Sequence, residues 1–586
     1  MTKRGRHLYE FGRFQVDPGE RLLLREGRPI HLTPKAFDTL LMLVRSSGHL
    51  IEKSELLSTV WAHSFVEEGN LAVTISTLRK ALGDDGKEYK YIETVTRLGY
   101  RFVVDVREVV EPEPELAAPF PGPHSLAVLP FRSMNSDAAH EYLRLGLTDA
   151  IVRKLASTGQ IVVRPSTAML RYADPLADPL AVGREQMVDA VLVGRIEAFP
   201  DRVLLTVQLI SVGDGSLLYS NTFEEGSREI LALEDEVVRS VAQSISNRPG
   251  TNARLAGRDS VNSKAYQLYL EGRYFWSKRT EEGLRRSIEY FQQAASEDEQ
   301  YALAYAGLAD AYVLLDSFGV EPASYAYPAA KAAALKALQF DNSLAESHAS
   351  LGMVYFYYEW KWSEAEQEFQ RAIALNPNYV LAHSWYALNL GAMGRYEEAF
   401  DHLRQAQQLD PLSLETNTVV GRIFYFSRQY DRSVNAYRKA IDLDPYYVRA
   451  HTRLGMTYAA MGAFGDAIHE FEESQRLSGA DPNLDGLLGY AQALSGKTGK
   501  ARKLLKELTQ RPRRDYVPAF SMALIWIGFG QRDHALECLA RSYQDRSTDM
   551  VYSKTEPLLD PVRSDPRFTA LLQQMGLSKE KPNFRS

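Results

Sequence analysis

The sequence predicts a multidomain protein: an N-terminal α+β head, a central α/β domain and a C-terminal all-α solenoid. Three observations carry this expectation. Residues 5–106 mix short alternating strands with amphipathic helices and end on a helix followed by a hairpin. Residues 124–247 set apolar strands around helical stretches. From about 264 to 545 the chain repeats itself at a fixed period, the mark of a stacked array. The stretch 107–123 between the first two parts is rich in Pro and Glu, and 546–586 remain as a C-terminal cap and tail. With 586 residues the chain exceeds a single core, so several domains are required.

In the head, alternation over Leu8–Val16 and Arg21–Leu24, around the turn Asp17-Pro18-Gly19, predicts strands. Thr33 is placed to cap a helix that begins at Pro34 and carries Phe37, Leu40, Leu41 and Val44 on one stripe, closing near Gly48. Lys53–Trp61 reads as a second helix and Asn70–Leu82 as a third, ended at Gly83. Tyr91–Val95 and Arg101–Val104 form a hairpin whose turn Gly99 eases. Residues 107–123 then read as an extended, fairly stiff linker.

The central part reads as mixed α/β. Ser125–Phe131 and Ile161–Arg164 are strands flanking a helix at about 141–157. Ala190–Phe199, Arg202–Val212 and Ser216–Phe223 form a meander that turns at Pro200-Asp201 and Asp214-Gly215, and Glu229–Ile245 is a closing helix. No GxxxxGK[ST] phosphate loop occurs in it.

The repeat is a 34-residue unit. Pro377, Pro411 and Pro445 recur at that spacing, as do small residues at Ala365, Ala399, Ser433 and Ala467 and again at Ala372, Ala406, Ala440 and Ser474. Large residues recur at Phe369, Leu403, Tyr437 and Phe471, and a further small class at Ala387, Gly421, Gly455 and Gly489. A helix–turn–helix unit needs small residues where its helices cross, large ones between them, and Pro where the next unit starts and a missing N–H does least harm. Such units stack into a solenoid with a concave groove.

Net charge says little about function. The chain carries 68 Lys+Arg against 75 Asp+Glu, and residues 1–106 carry 16 against 14, so any basic footprint is local. Cys538 is the single cysteine, which excludes intrachain disulfides and cysteine-cluster metal sites and favours a reducing compartment. The basic start lacks the apolar run of a signal peptide, and the most apolar stretch, Val517–Gly530, is too short to cross a bilayer and is expected as a buried helix. A soluble, cytoplasmic protein with no cofactor is the expectation.

A rigid helix beside a basic hairpin can fill a major groove and reach the adjacent phosphates. The runs LTPKAFDTLLMLV, LLSTVW, NLAVTISTLRKALGDD and YIETVTRLGYRFV, in that order over residues 8–104, resemble the winged helix-turn-helix domain of the OmpR/PhoB class, especially its CadC/ToxR-like relatives. The repeats resemble tetratricopeptide (TPR) units, and the middle part is similar to a TolB-N-like α/β domain. The resemblance implies a sequence-specific regulator of promoter DNA. About seven residues precede the first strand, so control through an internal receiver aspartate is not expected, and the Pro/Glu linker stands where CadC-like relatives carry a transmembrane helix.

On the family pattern Asn70–Leu82 is the recognition helix. Leu71, Ile75, Leu78 and Leu82 point inward, while Thr74 and Thr77 face out beside Asn70, with hydroxyls for base edges or phosphates and methyls for thymine. Arg79 and Lys80 are expected to hold the backbone, one of them with a base in reach; the alternative is a solvated helix end. In the wing, Thr94 and Thr96 are phosphate candidates and Arg97 the minor-groove candidate, one residue later than in response regulators. Lys87 and Lys90 add salt-dependent contacts, and Tyr100 is expected to pack in the hairpin.

Asp84-Asp85 reads as a solvated turn rather than a metal site, since neither EF-hand nor HExxH spacing is present. His383, His451 and His469 fall in repeat helices as packing or groove residues. Trp360 and Trp362 fill an insertion between helices or form a binding patch. The groove is expected to take a protein or peptide partner, RNA polymerase among them, or a second copy of the chain. The competing class is a TPR scaffold with a degenerate DNA-binding head. An enzyme would need its site in 124–247, which shows no recognisable catalytic arrangement.

Overall fold

Pro34–Arg45 (α1) starts where its cap predicts: the Thr33 hydroxyl accepts from the Ala36 N–H at 3.3 Å, and the fixed φ of Pro34 suits the first turn. The computed structural model describes residues 6–578 except 19–21, 26–27, 31, 61–67, 85–89, 97, 112–122, 134–140, 160, 175, 200, 227–228, 246–261, 318–319, 480 and 511–518. The chain divides into two compact units, 1–121 and 122–586.

The first unit opens with strands Arg6–Phe11 (β1), Phe14–Asp17 (β2), Leu22–Arg25 (β3) and Arg28–Ile30 (β4). After α1 come Leu50–Glu52 (β5), the helices Lys53–Val60 (α2) and Glu68–Leu82 (α3), then Ile92–Val95 (β6) and Gly99–Phe102 (β7). Arg107–Glu111 (β8) corrects the sequence reading, which placed it in the linker. It pairs antiparallel with β1, Tyr9 opposite Glu108, and closes a sheet of order β4-β3-β2-β1-β8. Flanking Glu and Pro hid its short Val109-Val110 strand core from a composition-based reading. The wing strands pair as β5-β7-β6. Phe11, Phe14, Tyr91 and Phe102 join the two sheets edge to face, with Phe11 and Phe102 centroids 4.9 Å apart at 80°; such pairs add about 1 kcal/mol each beyond their buried area.

The second unit begins with a mixed sheet. Ser125–Val128 (β9), Arg132–Ser133 (β10), Val162–Val163 (β11), Ala190–Ala198 (β12), Arg202–Ser211 (β13) and Leu217–Gly226 (β14) run in the order β11-β9-β12-β13-β14, with β10 beside β12. Glu141–Ser157 (α4) and Ile230–Ile245 (α7) match the expected helices. Ser166–Met169 (α5) and Pro179–Glu185 (α6) are short additions without a visible period in the sequence.

Paired helices follow: Ser263–Ser277 (α8) with Glu281–Glu297 (α9), Ala302–Ser317 (α10) with Ala323–Phe340 (α11), Ala345–Val354 (α12) with Trp362–Leu375 (α13), and Val380–Met393 (α14) with Tyr396–Leu409 (α15). Then come Leu414–Phe426 (α16) with Tyr430–Leu443 (α17), Val448–Ala460 (α18) with Phe464–Ser478 (α19), Pro482–Leu494 (α20) with Thr498–Gln510 (α21), and Ala519–Gly528 (α22) with Arg532–Gln544 (α23). The most apolar stretch holds α22, the buried helix expected there. Among the described residues no helix is long and apolar enough to cross a membrane.

The recurring classes meet as the period requires. A Cβ on Gly421 would stand 2.7 Å from the Tyr437 ring, and one on Gly455 2.6 Å from Phe471, so small and large residues of one unit are in direct contact. The histidines have a repeated task. His383 Nε2 meets the Pro377 carbonyl at 3.0 Å and His451 Nε2 the Pro445 carbonyl at 3.1 Å; in the unit between, Asn417 Nδ2 donates to the Pro411 carbonyl at 3.3 Å. Each locks the turn that starts its unit. His469 is exposed on α19.

The α/β domain docks on this array. Arg164 donates to the carbonyls of Gln408 and Leu409, both at 2.7 Å, at the end of α15 where a helix favours a cation. Asn378 reaches the carbonyls of Ala156 and Ile161, and Arg273 on α8 pairs with Asp149 on α4 at 2.8 Å.

The face built by the first helices of the units is not an open groove along its later half. Second helices such as α15 bury one stripe, whereas α14 is buried nearly all round. The cover comes from residues 546–577. Tyr552 bonds Tyr357 (Oη–Oη 2.5 Å), Lys554 donates to the Met393 carbonyl at 2.9 Å, and Tyr425 donates to Glu556. Trp360 follows a π-helical turn at Tyr355–Glu359 that absorbs the inserted residue. Its ring lies tilted against Tyr543, centroids 5.3 Å apart at 32°, while Trp362 Nε1 donates to the Met575 carbonyl at 2.7 Å. Both tryptophans are packing residues.

Candidate nucleic-acid interface

Helix α3 owes its position to four apolar residues. Leu71, Ile75, Leu78 and Leu82 are buried in one cluster with Phe37, Leu40 and Phe102. The rest of its surface follows from that stripe at 100° per residue. Asn70, Ala72, Val73, Ser76, Thr77 and Lys80 are exposed, and Thr74 is half-buried. Val73, 66% exposed, is the large apolar residue in the middle of that face and was missed in the sequence reading. The signal was available, since residues 73, 77 and 80 lie opposite 71, 75, 78 and 82 once those are fixed as core.

The threonine hydroxyls are turned inward. Thr74 Oγ1 donates to the Asn70 carbonyl at 2.8 Å and Thr77 Oγ1 to the Val73 carbonyl at 3.0 Å. With each proton committed to the helix, the side chain offers a lone pair and a methyl group outward. The outward surface is therefore more apolar than its composition suggests.

Arg79 does not extend into solvent. Its Nε and Nη2 donate to the Ile92 carbonyl at 3.2 and 2.8 Å, and Nη2 donates to Thr94 Oγ1 at 2.8 Å. Two predicted contact residues thus bond each other, and the guanidinium fastens α3 to wing strand β6. Asp84 completes the junction and corrects the expectation of a solvated turn. It is 6% exposed, and its carboxylate accepts from the N–H groups of Lys90, Tyr91 and Ile92 at 3.3, 3.1 and 3.3 Å. Three backbone donors at the start of β6 are satisfied from the end of the helix, which is the physical reason this Asp is buried. Gly99 serves the pairing of β7 with β5 through space rather than turn geometry, since a Cβ there would lie 1.9 Å from the Ile51 carbonyl oxygen of β5.

Lys80 and Lys90 are exposed, and the Lys90 ammonium stands 5.8 Å from the Tyr91 ring centre. Thr96 is exposed beside Leu98, 55% exposed at the wing tip, and Tyr100 is buried as expected. Lys87, Arg97 and Asp85 lie outside the described residues. A helix face of methyl groups and amide ending in a lysine, rigidly joined to a β-wing, matches the chemistry of a major-groove reader flanked by phosphate contacts. Among the described residues no group of three or more His, Cys, Asp or Glu could hold a metal ion.

Comparison with known proteins agrees with this geometry. Residues 27–102 match the family described as transcriptional regulatory protein, C terminal. Residues 123–240 match the second domain of HilA/YgeH-like transcriptional regulators, and 355–413 and 421–462 match tetratricopeptide repeats. The transcriptional regulator HilA of Salmonella paratyphi A is 24% identical over 493 residues, covering 83% of this chain and 80% of its own length. The solved DNA-binding domain of E. coli CadC is 32% identical, covering 18% of this chain and 99% of that one, with a TM-score of 0.17. A Rhizobium meliloti protein named as an adenylate cyclase 3 is 29% identical over 165 residues, which is 28% of this chain and 27% of its own length. That overlap is too small a part of the cyclase to bring its activity with it, whereas the HilA match spans most of both chains. The chain joins an OmpR/PhoB-type winged helix-turn-helix domain to TPR repeats, and it is a sequence-specific DNA-binding regulator.

Proposed function

We propose that this DNA-binding regulator lays α3 in the major groove of promoter DNA and reads it with Asn70, Val73, Thr74 and Thr77. Lys80, Lys87, Lys90 and Thr96 hold phosphates and Arg97 enters the minor groove. Arg79 and Thr94 act one step back, setting the angle between helix and wing. The observation that carries this is the exposed stripe of Asn70, Val73, Thr77 and Lys80 on a helix whose opposite side is core. In this reading the functional blocks are 5–111 for DNA, with β8 part of the head, 112–123 as connection, 124–247 as a TolB-N-like domain, 264–545 as repeats and 546–586 as a segment laid over the repeats and a tail.

The protein works in the cytoplasm as a soluble one-component regulator whose second unit recruits or senses a protein partner, RNA polymerase being the candidate and self-association the route to paired sites. Single winged modules bind modestly, so two linked contacts raise occupancy without new chemistry. The test is a mobility-shift selection with genomic fragments, using the full chain and a Thr77→Glu/Lys80→Glu variant. Enrichment of specific fragments by the wild type alone supports the reading. Equal weak binding by both, with no preferred fragment, leaves the TPR scaffold with a degenerate head.

A further inference from the structure

The C-terminal segment is more than an end cap. It covers the last helix pair, with Arg567 paired to Asp533 of α23 at 2.8 Å, as a cap would. In addition residues 548–562 cross the first-helix face from the third unit to the eighth. The segment makes no helix pair of its own and runs as two 3-10 turns, Thr548–Tyr552 and Pro557–Val562. It is anchored by side chains in the manner of a bound peptide. The Tyr552 ring lies edge-on to Phe356 at 5.8 Å and stacks on Phe426 at 5.1 Å, under the Arg422 guanidinium at 3.8 Å. Four residues on, the Glu556 carboxylate accepts from Tyr425, and Arg428 holds Asp560 at 2.8 Å. The Pro557–Val562 turn packs on α18 and α22, where Leu558, Leu559 and Val562 are buried.

The connection back to α23 is short and accessible: Gln544, Asp545 and Arg546 are exposed, and Arg546 has φ 54°, a left-handed corner. Glu556 is buried and Asp549 half-buried, and desolvation pushes both carboxyls above their ordinary range. A segment that buries an acid and an aromatic ring and crosses successive units side chain by side chain has the chemistry of a ligand on a surface.

We propose that residues 548–562 are a displaceable peptide ligand held in cis, so that the later half of the first-helix face is a docking surface already occupied by this chain. The inference rests on the reading that the repeats receive a protein partner, and it adds that a partner at this face must expel the segment. Any competitor has to supply an aromatic ring for the Phe426–Arg422 seat and a carboxylate four residues later for Tyr425.

The test uses the full chain with a protease site inserted between Gln544 and Arg546. After cleavage, a fluorescein-labelled synthetic peptide of residues 546–578 is added in excess. We expect saturable uptake by the cut chain, exclusion by the uncut chain, and affinity weaker by about thirtyfold for the peptide carrying Tyr552→Ala, the loss typical of a buried aromatic anchor. A peptide with Tyr552→Phe keeps the ring and should bind nearly as well as the parent. Loss of the repeats' helical signal on cutting, unrescued by peptide, would show the segment to be core and overturn the proposal. Failure of the labelled peptide to exchange into a folded, cut chain overturns it equally. A partner whose binding is unchanged by cutting and by excess peptide overturns it while leaving the partner reading intact.

Discussion

Arg79→Ala separates a residue that touches DNA from one that aims it. The substitution removes at least three hydrogen bonds, among them two to the Ile92 carbonyl and one to Thr94 Oγ1, from a junction in which Ile92 is fully buried. Hydrogen bonds from a charged donor contribute about 1.5–3 kcal/mol. If the loss falls on local opening of β6, its amides should exchange hydrogen roughly ten- to a hundredfold faster, since about 1.4 kcal/mol is a factor of ten. DNA affinity should fall because helix and wing lose their common register, yet the salt dependence should keep its slope. Lys80→Ala should do the reverse, because an exposed lysine on phosphate changes the slope of log K against log salt by about 0.9 and leaves exchange in β6 alone. Between 50 and 200 mM salt that difference amounts to roughly three- to fourfold in relative affinity. Hydrogen exchange read by mass spectrometry and a salt titration of operator binding measure both quantities on the same protein. A flattened salt slope with unchanged exchange in Arg79→Ala would put Arg79 on phosphate and refute the positioning role.

Three further outcomes follow from the same geometry. Val73→Ala should lose the effect of replacing one operator thymine by deoxyuracil, a methyl contact expected to change wild-type affinity roughly fourfold at about 0.8 kcal/mol per buried carbon; anisotropy titration reads it, and an unchanged uracil penalty in the variant removes Val73 from the readout. Gly421→Ala should destabilise the repeats by about 1–3 kcal/mol, because its Cβ meets the Tyr437 ring at 2.7 Å; denaturant melting followed by circular dichroism gives the value, and a neutral result means that the ring yields. His383 and His402 face each other Nδ1 to Nδ1 at 3.1 Å, and burial lowers both, His402 to about 4, with the neighbouring His383 charge as its second cause. A lowered folded pKa gives stability that is present above the unfolded value near 6.5 and lost as pH falls from there towards 4. The thermal midpoint of the repeats should thus drop by a few degrees (about 2–4 °C) from pH 7 to pH 5, less so in His402→Gln; an identical slope in the variant places the titration elsewhere.

The architecture was legible because it rests on periods. Leu71, Ile75, Leu78 and Leu82 announce a helix face whatever they pack against, and Gly421 and Gly455 announce close crossings because Tyr437 and Phe471 recur with them. A period says which side of a helix is in, but it does not say what a polar side chain on the other side touches. Arg79 looks like a free cation at a helix end until β6 is placed beside it, and Asp84 looks like a turn residue until three N–H groups of the wing close over it. The Val109-Val110 strand was hidden for a related reason: its partner, β1, lies about a hundred residues away, and flanking Glu and Pro dominate the local composition.

The same distinction governs the solenoid. A repeat motif encodes how each unit stacks on its neighbours, so the stack was readable and its occupancy was not. Tyr552 and Glu556 stand outside the period and carry no repeat signature. Their partners Tyr357, Arg422, Tyr425 and Phe426 belong to units well over a hundred residues earlier. Those partner positions are not set by stacking, which the crossing residues already satisfy. An aromatic and an arginine on a first helix, beyond what stacking needs, are therefore the sequence trace of whatever lies on the inner face. In this chain that trace leads to its own C-terminal segment.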